Sequence, residues 1–201
     1  MNLKLLLAAI MSLILGTSAL SAPAVSDVPD ADQSDVEPWD TFDQAFTTPG
    51  SPDAGSHVDD VTATIRYTNG NPVPFSHVWV DVSGCPGLCT DPSMDGLSGS
   101  TDVNGVVVLN PRVGGCADCE VLVFADGVRI RSYEKIRSTD WDGASADGAL
   151  SGADFSFFAG ALKETQDSCA DYDNDGHVSG LDFSFFATSF KLGDANSGGC
   201  E

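Results

Sequence analysis

Two stretches of this chain are near copies of each other. DGALSGADFSFFAGALK (147–163) returns as DGHVSGLDFSFFATSFK (175–191), a spacing of 28 residues with eleven of seventeen positions identical. A repeat this short is a unit that cannot bury its apolar face alone, so the two copies are expected to cover each other. Phe155, Phe158 and Leu162 in the first copy, and Phe183, Phe186 and Phe190 in the second, fall at i, i+3 and i+7. That period predicts one short helix per copy, each with a single apolar stripe, and the two stripes pack together. Phe157 and Phe185 sit off the stripe; exposed, they would form an apolar binding patch, and otherwise they bury against the rest of the chain.

Ahead of the second predicted helix runs DYDNDGHVSGLD (171–182). Asp171, Asp173, Asp175, Gly176 and Asp182 occupy positions 1, 3, 5, 6 and 12 of a loop, the oxygen-ligand spacing of a calcium loop. Alternate side chains of a tightly curled loop point inward, glycine permits the sharp turn, and a hard cation offsets the repulsion among carboxylates. His177 would supply its backbone carbonyl and Ser179 its hydroxyl, directly or through water. The first copy is less regular. Strict alignment puts Gly143 and Ser145 at the first two ligand positions, whereas an insertion of residues 144–146 makes Asp140, Asp142, Asp147 and Asp154 the equivalents. The gapped register gives both copies an Asp-aromatic-Asp start, and one or two Ca2+ ions are expected.

A DxDxDG loop that ends in Asp, runs straight into a helix and is duplicated near a C-terminus resembles a dockerin, over residues 138 to about 193. The resemblance implies a small all-α, calcium-folded module of paired loop-helix units at 138–201. It also implies a cohesin-like or cell-surface protein as partner, and frequent association with polysaccharide catabolism. The hydroxyl pair that many dockerins carry at loop positions 10 and 11 is replaced here by Gly152-Ala153 and Gly180-Leu181, which puts known cohesin specificities in question.

The first residues, MNLKLLLAAIMSLILGTSALSAPA, combine Lys4, an apolar run from Leu5 to about Leu15 and small residues from Ala19 to Ala24. This is the pattern of a secretory signal peptide over 1–22, and the run is too short for a bilayer span of about 20 residues. A secreted, extracellular chain is expected, with no membrane contact after signal removal. Residues 23–60 carry ten acidic residues and no Lys or Arg, and read as an acidic, disordered linker. The formal net charge of -21 offers no cationic footprint for phosphate, so nucleic acid is not an expected partner.

Between 61 and 137 the period changes to two. VTATIRY sets Val61, Ala63, Ile65 and Tyr67 against Thr62, Thr64 and Arg66, and FSHVWVDV does the same through Val78, Val80 and Val82. With DVNGVVVL, VLVFAD and GVRIRS this predicts six or seven short strands in an antiparallel β-sandwich. GNPVPFSHVWVDV followed by STDVNGVVVL resembles the carboxypeptidase regulatory-like and prealbumin-like modules, which implies an accessory domain without catalytic residues. Trp79 lies in a predicted strand, where a core position is expected; an exposed indole would instead stack on a sugar ring.

Six cysteines permit 15 pairings. Export favours disulfides. Cys169 and Cys200 bracket the acidic loop and are expected to pair, leaving Cys85, Cys89, Cys116 and Cys119 for two more bridges. The spacings Cys85-x3-Cys89 and Cys116-x2-Cys119 also suit a four-sulfur zinc site. No catalytic set stands out: Asp81, Asp102 and Glu120 form no pair that spacing singles out, and His57 and His77 have no nearby nucleophile. A non-enzymatic protein is expected.

Overall fold

The computed structural model describes residues 28–37, 45–48, 61–90, 96–111, 113–164 and 169–192. Among them run ten strands: β1 (Asp35–Glu37), β2 (Ala45–Thr48), β3 (Val61–Thr64), β4 (His77–Asp81), β5 (Cys89–Thr90), β6 (Ser98–Ser100), β7 (Val106–Leu109), β8 (Val113–Gly114), β9 (Cys116–Ala125) and β10 (Val128–Ser138). Two helices follow, α1 (Gly152–Glu164) and α2 (Gly180–Leu192).

A three-stranded sheet, β1-β3-β7, faces a five-stranded one, β2-β10-β9-β4-β6, and β5 pairs with β8. Pairing is antiparallel throughout, apart from β2, which runs parallel to β10. The expected alternation decides which side chains lie between the sheets. Val61, Ala63 and Ile65 from one side meet Val78, Val80, Val121 and Val123 from the other, all buried in one apolar cluster. Dense β-branched residues fit this pleated, half-buried setting. The architecture is therefore antiparallel β-sheet over about 35–140, followed by a small two-helix region.

Residues 23–60 are not the uninterrupted linker that their acidity suggests. β1 pairs with β3, placing Asp35 and Glu37 opposite Thr64 and Thr62 while Val36 enters the core with no exposure. One inward valine between two outward acids is enough for a strand in a period of two. The segment is further pinned by the Asp30 N–H donating to the Arg66 carbonyl at 2.8 Å. Arg131 also donates to the carbonyls of Ala31 and Ser34 at 2.8 and 2.6 Å. The predicted signal segment lies outside the described residues.

The cysteine pairing also differs from expectation. Cys85 joins Cys119, and Cys116 joins Cys169 with Cα atoms 5.7 Å apart. Cys169 is thus bonded to the sandwich and not to Cys200, which lies outside the described residues. Cys89 is disulfide-bonded as well, so these sulfurs do not form the four-sulfur zinc site that their spacing also suits. Sequence distance misled here, because a bridge needs only that two Cα atoms meet within about 7 Å. Two disulfides fit an oxidising compartment. Among the described residues no helix is long and apolar enough to cross a membrane.

At the end of β10, Arg137 is almost fully buried. Its guanidinium donates to the carbonyls of Ala117 and Ile136 and, at 2.8 Å, to Asp118 Oδ1. That hydrogen bond holds the Asp118 carboxyl below its ordinary value.

The placement of β1 yields a direct test. Val36→Ala should lower the unfolding free energy by about 1–3 kcal/mol, the cost of removing buried methyl groups from a packed core. Urea denaturation of the full chain would measure it, and an unchanged midpoint would return this segment to linker status.

Candidate metal centre

The acidic loop before α2 is organised by its own backbone amides. Asp171 accepts from the N–H groups of Asp175 (Oδ1, 3.1 Å) and Gly176 (Oδ2, 3.0 Å). Asp173 Oδ1 accepts from Asp175 N–H at 3.1 Å, and Asp175 Oδ1 from His177 N–H at 2.8 Å. Gly176 sits at φ 90°, a conformation that costs glycine nothing and other residues more. As a result the carboxylates of Asp171, Asp173 and Asp175 offer oxygens that all lie within 4.8 Å of one another. This is a set of hard oxygen donors able to hold a metal ion.

Asp182 takes a different place. It is wholly buried; its Oδ1 accepts from Tyr172 N–H at 2.6 Å and Asp173 N–H at 3.3 Å, and its Oδ2 from Ser179 N–H at 2.7 Å. Ser179 Oγ in turn accepts from Leu181 N–H at 3.1 Å. Ser179 and Asp182 therefore form a reciprocal cap on the first turn of α2, where a negative side chain is also favoured by the helix dipole. The same carboxylate clasps the start of the loop, which couples helix and loop through one side chain. The His177 side chain is exposed.

Loop 1 repeats several of these bonds in the gapped register. Asp140 accepts from Asp147 N–H at Oδ1 and Gly148 N–H at Oδ2, as Asp171 does from Asp175 and Gly176. Gly148, like Gly176, has positive φ (79°). Ala149 N–H donates to Asp147, and Ser151 and Asp154 repeat the helix cap on α1. The insertion shows at Asp142. It is exposed and turned onto the N–H groups of Ala144 and Ser145, both at 2.8 Å, and these bonds hold its carboxyl below the ordinary range. Among the described residues Asp171, Asp173 and Asp175 form the one cluster whose carboxylates are close enough to share an ion, and the loop 1 carboxylates are not gathered in this way.

Each loop holds one carboxyl above its ordinary value. Burial pushes Asp173 up to about 6, with the charges of Asp182 and Asp175 acting in the same direction against the Asp175 N–H. Burial likewise raises Asp140 to about 6, against the N–H groups of Asp147 and Gly148.

Between the helices the stripes meet around Phe158 and Phe186. Phe158 and Phe186 are buried and stacked at 5.2 Å, and the reciprocal pairs Phe155–Phe186 and Phe158–Phe183 lie at 5.8 and 6.1 Å. Equivalent positions contact each other as they do across a two-fold axis. Tyr172 stacks on Phe158, and Val178 and Ala170 close the cluster. The stripe ends expected to be covered are exposed: Phe155, Leu162, Phe183 and Phe190, together with Leu181. Helices of thirteen residues crossing near their centres cannot shield their own ends. Phe157 and Phe185 are half-buried against this cluster.

Trp79 is not in the core. Val78 and Val80 point inward, so Trp79 emerges on the outer face of the five-stranded sheet, half-buried and stacked on Phe124 (5.0 Å) and His77 (5.4 Å). Two adjoining clefts of about 340 and 430 Å³ share Trp79 and Val80; His77 and Ser98 border one, Asp81 and Thr90 the other. The alternation around Val78 and Val80 already contained this signal. The acidic residues weighed for catalysis have local duties: Asp81 and Asp102 accept turn N–H groups, and Glu120 faces Arg129 at 3.7 Å.

No protein family, curated protein or solved structure matches the chain.

The raised Asp173 value carries a pH dependence with a definite sign. The folded value, about 6, exceeds the ordinary 3.8, so protonation stabilises the metal-free loop fully below about 4, and that contribution is lost as pH rises through about 6. With a chelator present, protection factors over 171–182, taken relative to the intrinsic exchange rate at each pH, should be higher near pH 4.5 than near pH 7.5; equal protection would contradict the assignment.

Proposed function

We propose that this is a secreted, non-enzymatic protein whose C-terminal region is a dockerin-like, calcium-binding module for attachment to a partner protein, with the β-sandwich as accessory. The observation that carries the reading is the cluster of Asp171, Asp173 and Asp175 on a loop turned by Gly176. An all-oxygen donor set on a pliable loop suits calcium, which accepts six to eight oxygens, better than magnesium, which demands a tight octahedron. The His177 carbonyl, Ser179 and Asp182 complete the set in this reading. Asp140, Asp142, Asp147 and Asp154 provide a weaker second site, because the insertion draws Asp142 away. Attachment is supported by the exposed apolar residues on α1 and α2, in an otherwise strongly acidic chain. A partner with a basic rim around an apolar centre, such as a cohesin-like or cell-surface protein, complements that face.

Calorimetry on the full chain should detect calcium binding with a gain of helix signal near 222 nm, and absence of both would overturn the proposal. Asp173→Asn should weaken calcium binding at least about tenfold, while stabilising the chelator-treated loop at neutral pH, because it removes a charge that repels its neighbours.

A second reading concerns the sandwich. The accessible ring array of Trp79, Phe124 and His77, bordered by hydroxyl and carboxylate groups, supports binding of a neutral carbohydrate, whose rings present apolar C–H faces and hydroxyl edges. Soluble oligosaccharides should then quench tryptophan emission in the native chain and not in Trp79→Ala, with calcium affinity unaltered. Identical titrations of both proteins would dismiss it.

A further inference from the structure

The corner between β8 and β9, residues 114–116, touches the first acidic loop and is bonded to the chain just ahead of the second. Gly115 N–H donates to the Asp140 carbonyl at 3.0 Å. Gly114 lies so close to the same residue that a Cβ there would collide with the Asp140 carboxylate and crowd Ala146. One residue further on, Cys116 is bonded to Cys169, two positions before Asp171. Cys116 is also held inside the five-stranded sheet, where it pairs with Arg137 of β10. The start of each loop is thereby mounted on one three-residue segment, by a backbone hydrogen bond and close packing at Asp140 and by a covalent bridge two residues ahead of Asp171. Residue 138, where a boundary between two modules was expected, is the buried last residue of β10, so β10 runs directly into loop 1 without a spacer.

We infer that the corner 114–116 is a shared mount that couples the metal loops to the β-sandwich, making the two one cooperative unit in which a cation bound by the loops also locks the sheet. The helices and their loops are then not a tethered plug that swings free of its carrier. Whatever docks on α1 and α2 meets the sandwich in a fixed orientation, and a chain in a low-calcium medium is looser as a whole than in a calcium-rich one. The calcium part of this inference rests on the function proposed above; the mechanical part does not.

Hydrogen exchange on the full chain separates the two. In metal-free protein, Phe186→Ala, which opens a cavity between the helices, should speed exchange about tenfold in residues 114–120 as well as in α1 and α2; an unchanged rate at 114–120 would overturn the coupling. Added calcium should slow exchange at 171–182 and at 114–120 together, and protection confined to 171–182 would also overturn it. If calcium alters neither segment, the metal assignment fails and the coupling is judged on the Phe186→Ala result alone. Replacing Cys116 and Cys169 with Ser leaves every loop carboxylate in place, yet should weaken calcium binding at least about fivefold; undiminished affinity would remove the bridge from the mechanism.

Discussion

Carboxylates confined within a few ångströms of one another repel, and repulsion grows as water is withdrawn from them. In this protein Asp171, Asp173 and Asp175 are held that closely, with Asp182 buried at the floor of the same loop. Backbone N–H groups offset part of the cost, two at Asp171 and three at Asp182. Burial of Asp173, with the charges of Asp182 and Asp175 behind it, raises the proton affinity of that carboxyl. Closely held carboxylates, partly withdrawn from water, are the constraint around which the backbone of this loop is arranged. The second helix depends on it too, because Asp182, which clasps the loop, also caps α2.

The duplication resolves a second difficulty. Each copy presents an aromatic stripe with nothing of its own to cover it, and a near-identical partner supplies a matching surface with self-complementary geometry. Phe158 and Phe186 occupy equivalent positions and stack on each other, while Phe155 and Phe183 each reach the other copy's central ring. Such a small core is marginal by itself. Its bridge to the sheet through Cys116 and Cys169 closes a loop of 53 residues, which the chain-entropy argument values at about 4 kcal/mol.

What the sequence discloses follows from how local the chemistry is. The loop carboxylates and the Phe158–Phe186 core lie within short, repeated windows, and β3, β4, β7, β9 and β10 announce themselves through alternation. β5 and β8 are two residues long and β1 and β6 three, too short for any period. β1 is further masked by its acids, since Val36 alone turns inward. The join of Cys116 to Cys169 depends on tertiary proximity, which no spacing encodes. Trp79 was legible and was misjudged, because aromatic bulk was weighed above the inward turn of Val78 and Val80 on either side.

β2 adds a constraint of timing. It lies against β10 in parallel, Ala45 beside Lys135 and Thr48 beside Ser138, so its hydrogen-bonding edge finds a mate only after about ninety further residues have been made. Contacts between such distant parts of a chain slow folding. A strand emerging early with no neighbour is open to stray association. The acidic stretch around β2, which first suggested a mere spacer, supplies what a waiting edge needs: like-charged copies keep apart until the last strand arrives.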